Sequence, residues 1–225
     1  MQLRSSLFIS ALSKFLGGLG IIMLLLFLPA GTWHYWQAWV FISVLFIPMT
    51  IMGVWLLCCQ PELLAKRLNN KETQHEQKSI VALSGIMFIA GFVVCGLDFR
   101  CSWSNPPLWI TISASIIFLV SYILYAEVMR ENAYLSRTIE VQDGQQLIDT
   151  GLYSIVRHPM YSATLLMYLA MPIMLDSWWA LLVFALYPIL IVKRILNEEQ
   201  VLANGLQGYT DYQKRVQYRL IPWIW

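Results

Sequence analysis

Six long apolar runs, Leu7–Leu28, Trp36–Cys59, Ile80–Leu97, Leu108–Ala126, Met160–Leu175 and Trp178–Val192, constrain this chain more than any other feature. A helix needs about 20 apolar residues to cross a hydrocarbon core ~30 Å thick, and the first four runs meet that length. The last two hold only about 15 or 16 residues each and meet at Asp176–Ser177, so at ~1.5 Å per residue they barely reach across, either as a full helical hairpin or as a re-entrant one. Composition agrees: the chain is 58% hydrophobic and 12% charged, against about 25% charged in soluble domains, which leaves too little polar surface to coat a water-soluble globule. The expected fold class is an all-α integral membrane protein with about six transmembrane helices. Lys14 interrupts the first run and no small-x-small cleavage site precedes a soluble domain, so this run reads as a retained helix and not a signal peptide.

Threading six spans alternately puts the segments before the first helix and after the second, fourth and sixth on one side. All but Arg100 of the 15 lysines and arginines then fall on or nearest that side, including Arg4, Lys14, Lys66, Arg67, Arg157 and Arg194. The positive-inside rule makes that side cytoplasmic, with both termini there. The other side collects Trp33, Trp36, Trp39, Trp103, Trp109, Trp178 and Trp179, as an interfacial aromatic belt would. A net charge of +2 with no basic stripe gives no basis for nucleic-acid binding. Cys58, Cys59, Cys95 and Cys101 have neither CxxC nor Cys/His spacing, so a disulfide framework or zinc site is not expected and they read as apolar filler.

The chain divides by composition into residues 1–126, four transmembrane helices with one polar cytoplasmic loop at Gln60–Ser79, and residues 127–225, which carry most of the remaining cytoplasmic charge. In the second half, Thr138–Ile148 alternates polar and apolar residues around Asp143-Gly144, predicting a small cytoplasmic β-hairpin. Pro159 suits the first turn of a new helix, where its missing N–H would have gone unpaired, so Arg157 and His158 fall at a helix mouth. The tail Asn197–Trp225 is amphipathic and aromatic and is expected along the cytoplasmic membrane face.

Two polar clusters could carry chemistry. Arg157 and His158 beside a helix N-terminus would make a site for a carboxylate or phosphate; the bland alternative is that Arg157 snorkels to headgroups and His158 caps the helix. Lys193, Arg194, Glu198 and Glu199 lie at the end of the sixth run. Adjacent carboxylates diverge by ~100° on a helix, so at most one can face a given ligand. Arg194 and Glu198 are spaced to pair on one face, and a solvated helix end with such a pair is the bland alternative here. Topology joins the clusters, because the start of the fifth helix and the end of the sixth lie on the same side. One pocket could then offer cations for a carboxylate, an acid for hydroxyls or a cation, and aromatics for a purine, while opening sideways to lipid.

Four ordered elements carry a family resemblance: Gly151-x-Tyr153-x3-Arg157-His158-Pro159-x-Tyr161, Arg194-x3-Glu198-Glu199-x2-Leu202, Gly208-Tyr209-x2-Tyr212 and Val216-x2-Arg219-Leu220-Ile221-Pro222. This second half resembles the isoprenylcysteine carboxyl methyltransferase family, integral membrane enzymes related to phospholipid N-methyltransferases. The resemblance implies S-adenosylmethionine as methyl donor, with Tyr153, His158, Tyr161, Glu198, Glu199 and Leu202 as cofactor contacts and Arg157 and Arg194 as the groups that orient a carboxylate acceptor. Ala163 stands where the family commonly has glycine, and Leu206-Gln207-Gly208-Tyr209 replaces a more common Phe-Gly turn, which leaves the acceptor open.

The implied acceptor is lipid-borne or hydrophobic: an isoprenylcysteine carboxylate by resemblance, with phospholipid amines and small thiols as alternatives. An amine would need a proton removed, for which Glu198, Glu199 or His158 are candidates. The rival is a sterol-type membrane reductase using NADPH, whose members share an Arg-His-Pro motif but usually carry Asn-Tyr after the proline, where this chain has Met160-Tyr161. A transporter or scaffold is disfavoured because Lys14 is nearly alone among ionisable residues within the runs.

Overall fold

The computed structural model describes residues 2–69, 75–136 and 138–225, and every regular element in them is helical. The helices are α1 (Gln2–Ala30), α2 (Trp36–Cys59), α3 (Pro61–Leu68), α4 (His75–Cys101), α5 (Leu108–Glu131), α6 (Pro159–Met174), α7 (Trp178–Phe184), α8 (Tyr187–Gly205) and α9 (Tyr209–Arg215), with a 3₁₀ turn at Gly151–Ser154 before α6.

Among the described residues five segments are long and apolar enough to cross a membrane, and they differ from the six runs in the second half of the chain: Ser6–Ala30, Trp36–Cys59, Gln77–Cys101, Leu108–Glu131 and Trp178–Gly205. The fifth run becomes α6, a shorter apolar helix of 16 residues, about 24 Å long at ~1.5 Å per residue. The last run continues well past Val192, because the polar residues 193–205 remain helical as α8. A break separates α7 from α8 at Ala185–Leu186, where the Pro188 ring would clash with the Phe184 carbonyl in a continuous helix.

Two further expectations change. The stretch 138–148 forms no strand; it keeps a turn at Asp143-Gly144, closed by the Gln145 amide donating to the Gln142 carbonyl at 3.0 Å and by the Gln142 amide donating to Gln145 Oε1 at 2.9 Å. Beyond the turn no backbone bond joins its two arms among the described residues, and the Gln142 side-chain amide donates to the Tyr134 carbonyl at 2.7 Å. The loop predicted over Gln60–Ser79 is partly helical, as α3 and the first turn of α4, while residues 70–74 lie outside the described residues. The Lys14 ammonium reaches the Leu68 carbonyl at the end of α3.

One apolar core joins both halves of the chain, built from α1, α2 and α4 to α8 and reaching Leu220 of the tail. Aromatic edges fill its centre: Phe92 meets Phe184 at 5.9 Å and Phe41 meets Phe118 at 6.2 Å, both steeply inclined. Close helix approach depends on glycine. A Cβ at Gly96 of α4 would fall 2.5 Å from the Leu26 carbonyl oxygen of α1.

The helix ends away from α3 are tied by buried polar groups. Asp98 accepts from the Ser104 amide (2.7 Å), the Ser104 hydroxyl (2.8 Å) and the Ser177 hydroxyl (2.5 Å), while Asp176 accepts from Gln37 (2.6 Å) and Thr111. Ser177 also caps α7 by accepting from the Ala180 amide. Asp98 lies just past the run Ile80–Leu97, a buried acid that the apolar pattern concealed. Around this end the seven tryptophans of the expected belt are all exposed.

Replacing Gly96 with alanine should overpack the α1–α4 contact at a cost of about 1–3 kcal/mol, read as a fall of several degrees in the thermal unfolding midpoint in detergent. Gly17→Ala, on a part of α1 with nothing within 4 Å, should leave the midpoint unchanged or slightly raised.

Candidate functional site

The site is built where the tail closes over the start of α6. Pro159 occupies the first turn of α6 and His158 precedes it as N-cap without a side-chain capping bond. The Arg157 amide donates to the Tyr218 carbonyl and the His158 amide to the Arg219 carbonyl, both at 2.9 Å, and the Ser162 hydroxyl donates to the Leu220 carbonyl at 2.6 Å. The helix mouth is thus faced by the chain's own tail.

Beneath this contact, the two adjacent carboxylates do different things. Glu199 is buried and faces three side chains: Arg157 donates from Nε at 2.7 Å, Arg219 donates from Nε at 2.9 Å, and His158 Nε2 lies 3.2 Å away. Arg157 also donates from Nη1 to the carbonyls of Val216 (2.7 Å) and Gln217 (3.0 Å). Glu198, one position earlier and turned by ~100°, accepts instead from the Tyr161 hydroxyl at 2.6 Å. That hydroxyl in turn accepts from Arg194 Nε at 2.9 Å, so one phenol links Arg194 and Glu198. Arg194 Nη1 also donates to Gln77 of α4 at 3.0 Å, and Gln77 donates to Asn197 at 2.7 Å.

The two clusters meet in one pocket. Tyr153, Arg157, His158, Tyr161, Arg194, Glu198 and Leu202 all line it, together with Tyr209 and residues of the 132–148 loop; Glu199 lies behind the wall, holding Arg157 and His158. Its interior is about 100 Å³, below the ~300–1,000 Å³ typical of ligand sites. Among the described residues no group of three or more His, Cys, Asp or Glu could hold a metal ion.

The tyrosines differ in how their hydroxyls are satisfied. Tyr153 OH accepts from Asn132 at 2.8 Å and Tyr212 OH donates to the Tyr153 carbonyl at 2.7 Å. Tyr209 OH is buried without a hydrogen-bond partner among the described residues. Burial, and after it the charges of Glu199 and Glu198, push this phenol up and keep it protonated. Gly151, with φ +52°, sits where a Cβ would run into the Glu131 carboxylate, which explains the glycine that opens the first motif.

Gln77 and Arg219 are the contributors that motif reasoning passed over for the wiring of the site. Arg219 stood in the fourth motif without a role, whereas Gln77 is one polar residue among several, His75 to Ser79, just before an apolar run, fully buried and with no pattern to mark it.

Residues 109–207, a little under half of the chain, match the phospholipid methyltransferase family model. The chain is also 33% identical over 94 residues to Delta(14)-sterol reductase TM7SF2 of Mus musculus, covering 39% of this chain and 22% of that protein. It is 26% identical over 99 residues to the uncharacterized protein YpbQ of Bacillus subtilis (strain 168), covering 44% of this chain and 59% of that protein. The chain therefore spans less than two thirds of either relative.

Removing the Glu199 carboxylate should leave Arg157 buried and unpaired, a loss of roughly 3–5 kcal/mol, so Glu199→Ala should unfold far earlier on heating than Glu198→Ala. Comparable midpoints for the two variants would contradict the division of labour between these carboxylates.

Proposed function

We propose that the chain is an S-adenosylmethionine-dependent membrane methyltransferase of the isoprenylcysteine carboxyl methyltransferase type, acting on a lipid-borne or hydrophobic acceptor at the cytoplasmic membrane face. The observation that carries this reading is the convergence of Glu198, Tyr161 and Arg194 with Tyr153, His158 and Leu202 on one pocket, inside the segment that matches the methyltransferase family. The donor set suits the cofactor: a carboxylate for hydroxyls or an ammonium, a guanidinium for a carboxylate, and apolar and aromatic walls for a base.

When bound, S-adenosylmethionine supplies a methyl carbon on a sulfonium, and its transfer is an in-line displacement that depends on alignment and exclusion of water. The chain's residues then divide the work. Arg194, braced by Gln77 and Tyr161, offers the cation that orients an acceptor carboxylate. Arg157, already bonded to Glu199 and to tail carbonyls, fixes the tail and with it the pocket wall. Glu199 acts through Arg157 and His158, and the 132–148 loop excludes water. A carboxylate or thiolate acceptor needs no base; an amine acceptor would hand its proton to Glu198, the carboxylate on the pocket side.

The similarity to the sterol reductase supports a second reading, an NADPH-dependent reductase on the same framework. Calorimetry on protein in detergent separates the two: S-adenosylmethionine should bind and NADPH should not. Glu198→Gln should weaken cofactor binding about tenfold, the equivalent of roughly 1.4 kcal/mol. Arg194→Ala should lower transfer of labelled methyl to a prenylcysteine analogue by about a hundredfold or more, as loss of an orienting contact does. Transfer to an extract of phospholipid amines in place of the analogue would reassign the acceptor, and binding of NADPH alone would overturn the methyltransferase reading.

A further inference from the structure

We propose that the Tyr209 hydroxyl is a cofactor-contact group: on the methyltransferase reading, on which this inference rests, it donates a hydrogen bond to a part of the cofactor shared by S-adenosylmethionine and the demethylated product.

Tyr209 opens α9 directly after Gly208, whose φ of +82° turns the chain from α8 back toward the pocket. The residue is buried and lines the same pocket as Glu198 and Tyr161. Its hydroxyl stands apart from the other phenols there. Those of Tyr153, Tyr161 and Tyr212 are each bonded within the protein, whereas that of Tyr209 has no partner among the described residues.

The surroundings account for the missing bond. The ring packs in a cluster with Leu206 and Tyr212 against Val141, Leu147 and Leu202, apolar side chains that offer no acceptor. The Tyr212 ring packs beside it at 5.8 Å. Buried polar groups are almost always satisfied, so an exception inside a pocket points to a partner supplied from outside the chain.

The hydroxyl acts as a donor to the nucleoside or amino-acid portion and not as an oxygen facing the sulfonium. Glu198 already brings negative charge to the pocket, so a cation there does not depend on a phenol. What this apolar corner lacks is an acceptor, which a base, a ribose or a carboxylate can provide and a sulfonium cannot.

The test compares wild type with Tyr209→Phe, which keeps the ring and deletes only the hydroxyl. Binding of S-adenosylmethionine and of S-adenosylhomocysteine is measured by calorimetry in detergent, alongside thermal unfolding of the unliganded proteins. The variant should bind both ligands about 3- to 15-fold more weakly, the range expected for one net hydrogen bond. Its unliganded midpoint should be unchanged or raised, because the deleted group had no partner to lose. Tyr161→Phe, which removes a bonded hydroxyl, should instead lower that midpoint. Unchanged affinities in Tyr209→Phe would overturn the inference while leaving the methyltransferase reading intact. So would weakening confined to S-adenosylmethionine, or a lowered unliganded midpoint. Failure of the wild type to bind either ligand would overturn the methyltransferase reading itself, and this inference with it.

Discussion

The structure around the pocket depends on a single buried carboxylate. Glu199 draws together the entry to α6 through Arg157 and His158 and the tail through Arg219, while its own backbone belongs to α8. Charge-assisted bonds of this kind are about twice as strong as neutral ones, and burial makes them obligatory, since any one of the partners left alone would be an uncompensated charge or donor. Arg157 extends the knot by taking up tail carbonyls that no regular structure satisfies. The tail's path across α6 is therefore set by ionic bonding as much as by its apolar contacts.

That arrangement leaves the neighbouring Glu198 free for a different use. Two carboxylates in adjacent positions diverge by the helical turn, so burying one turns the other into the pocket. A single helix thus supplies both the anchor and the polar wall. Tyr161 and Arg194 complete that wall, and Gln77 carries the bracing of Arg194 back to α4. Although the family match covers only 109–207, the pocket is wired to both the first half of the chain and the tail beyond residue 207.

Much of this was legible in the sequence, for identifiable reasons. Apolar runs long enough to span a bilayer announce themselves, and the first four became helices with nearly the expected bounds. The divergence of Glu198 and Glu199 followed from helix geometry alone. The extension of α8 to Gly205 was hidden because its polar residues resemble a tail when read without their partners. The hairpin failed because alternation around Asp143-Gly144 specifies a turn, while a ladder also requires backbone bonds between its two arms, and beyond the turn none is made among the described residues. The Arg157–Glu199 pair spans 42 positions, and Gln77 to Arg194 spans 117, so neither leaves a local signature.

The shortness of α6 has a further meaning in a bilayer. Its far end is held by Asp176 and Ser177 at the level of the exposed Trp178 and Trp179. From that boundary 16 residues rise only about 24 Å, whereas the hydrocarbon is ~30 Å thick. Arg157 and His158 would then lie several ångströms inside the leaflet, not beyond it.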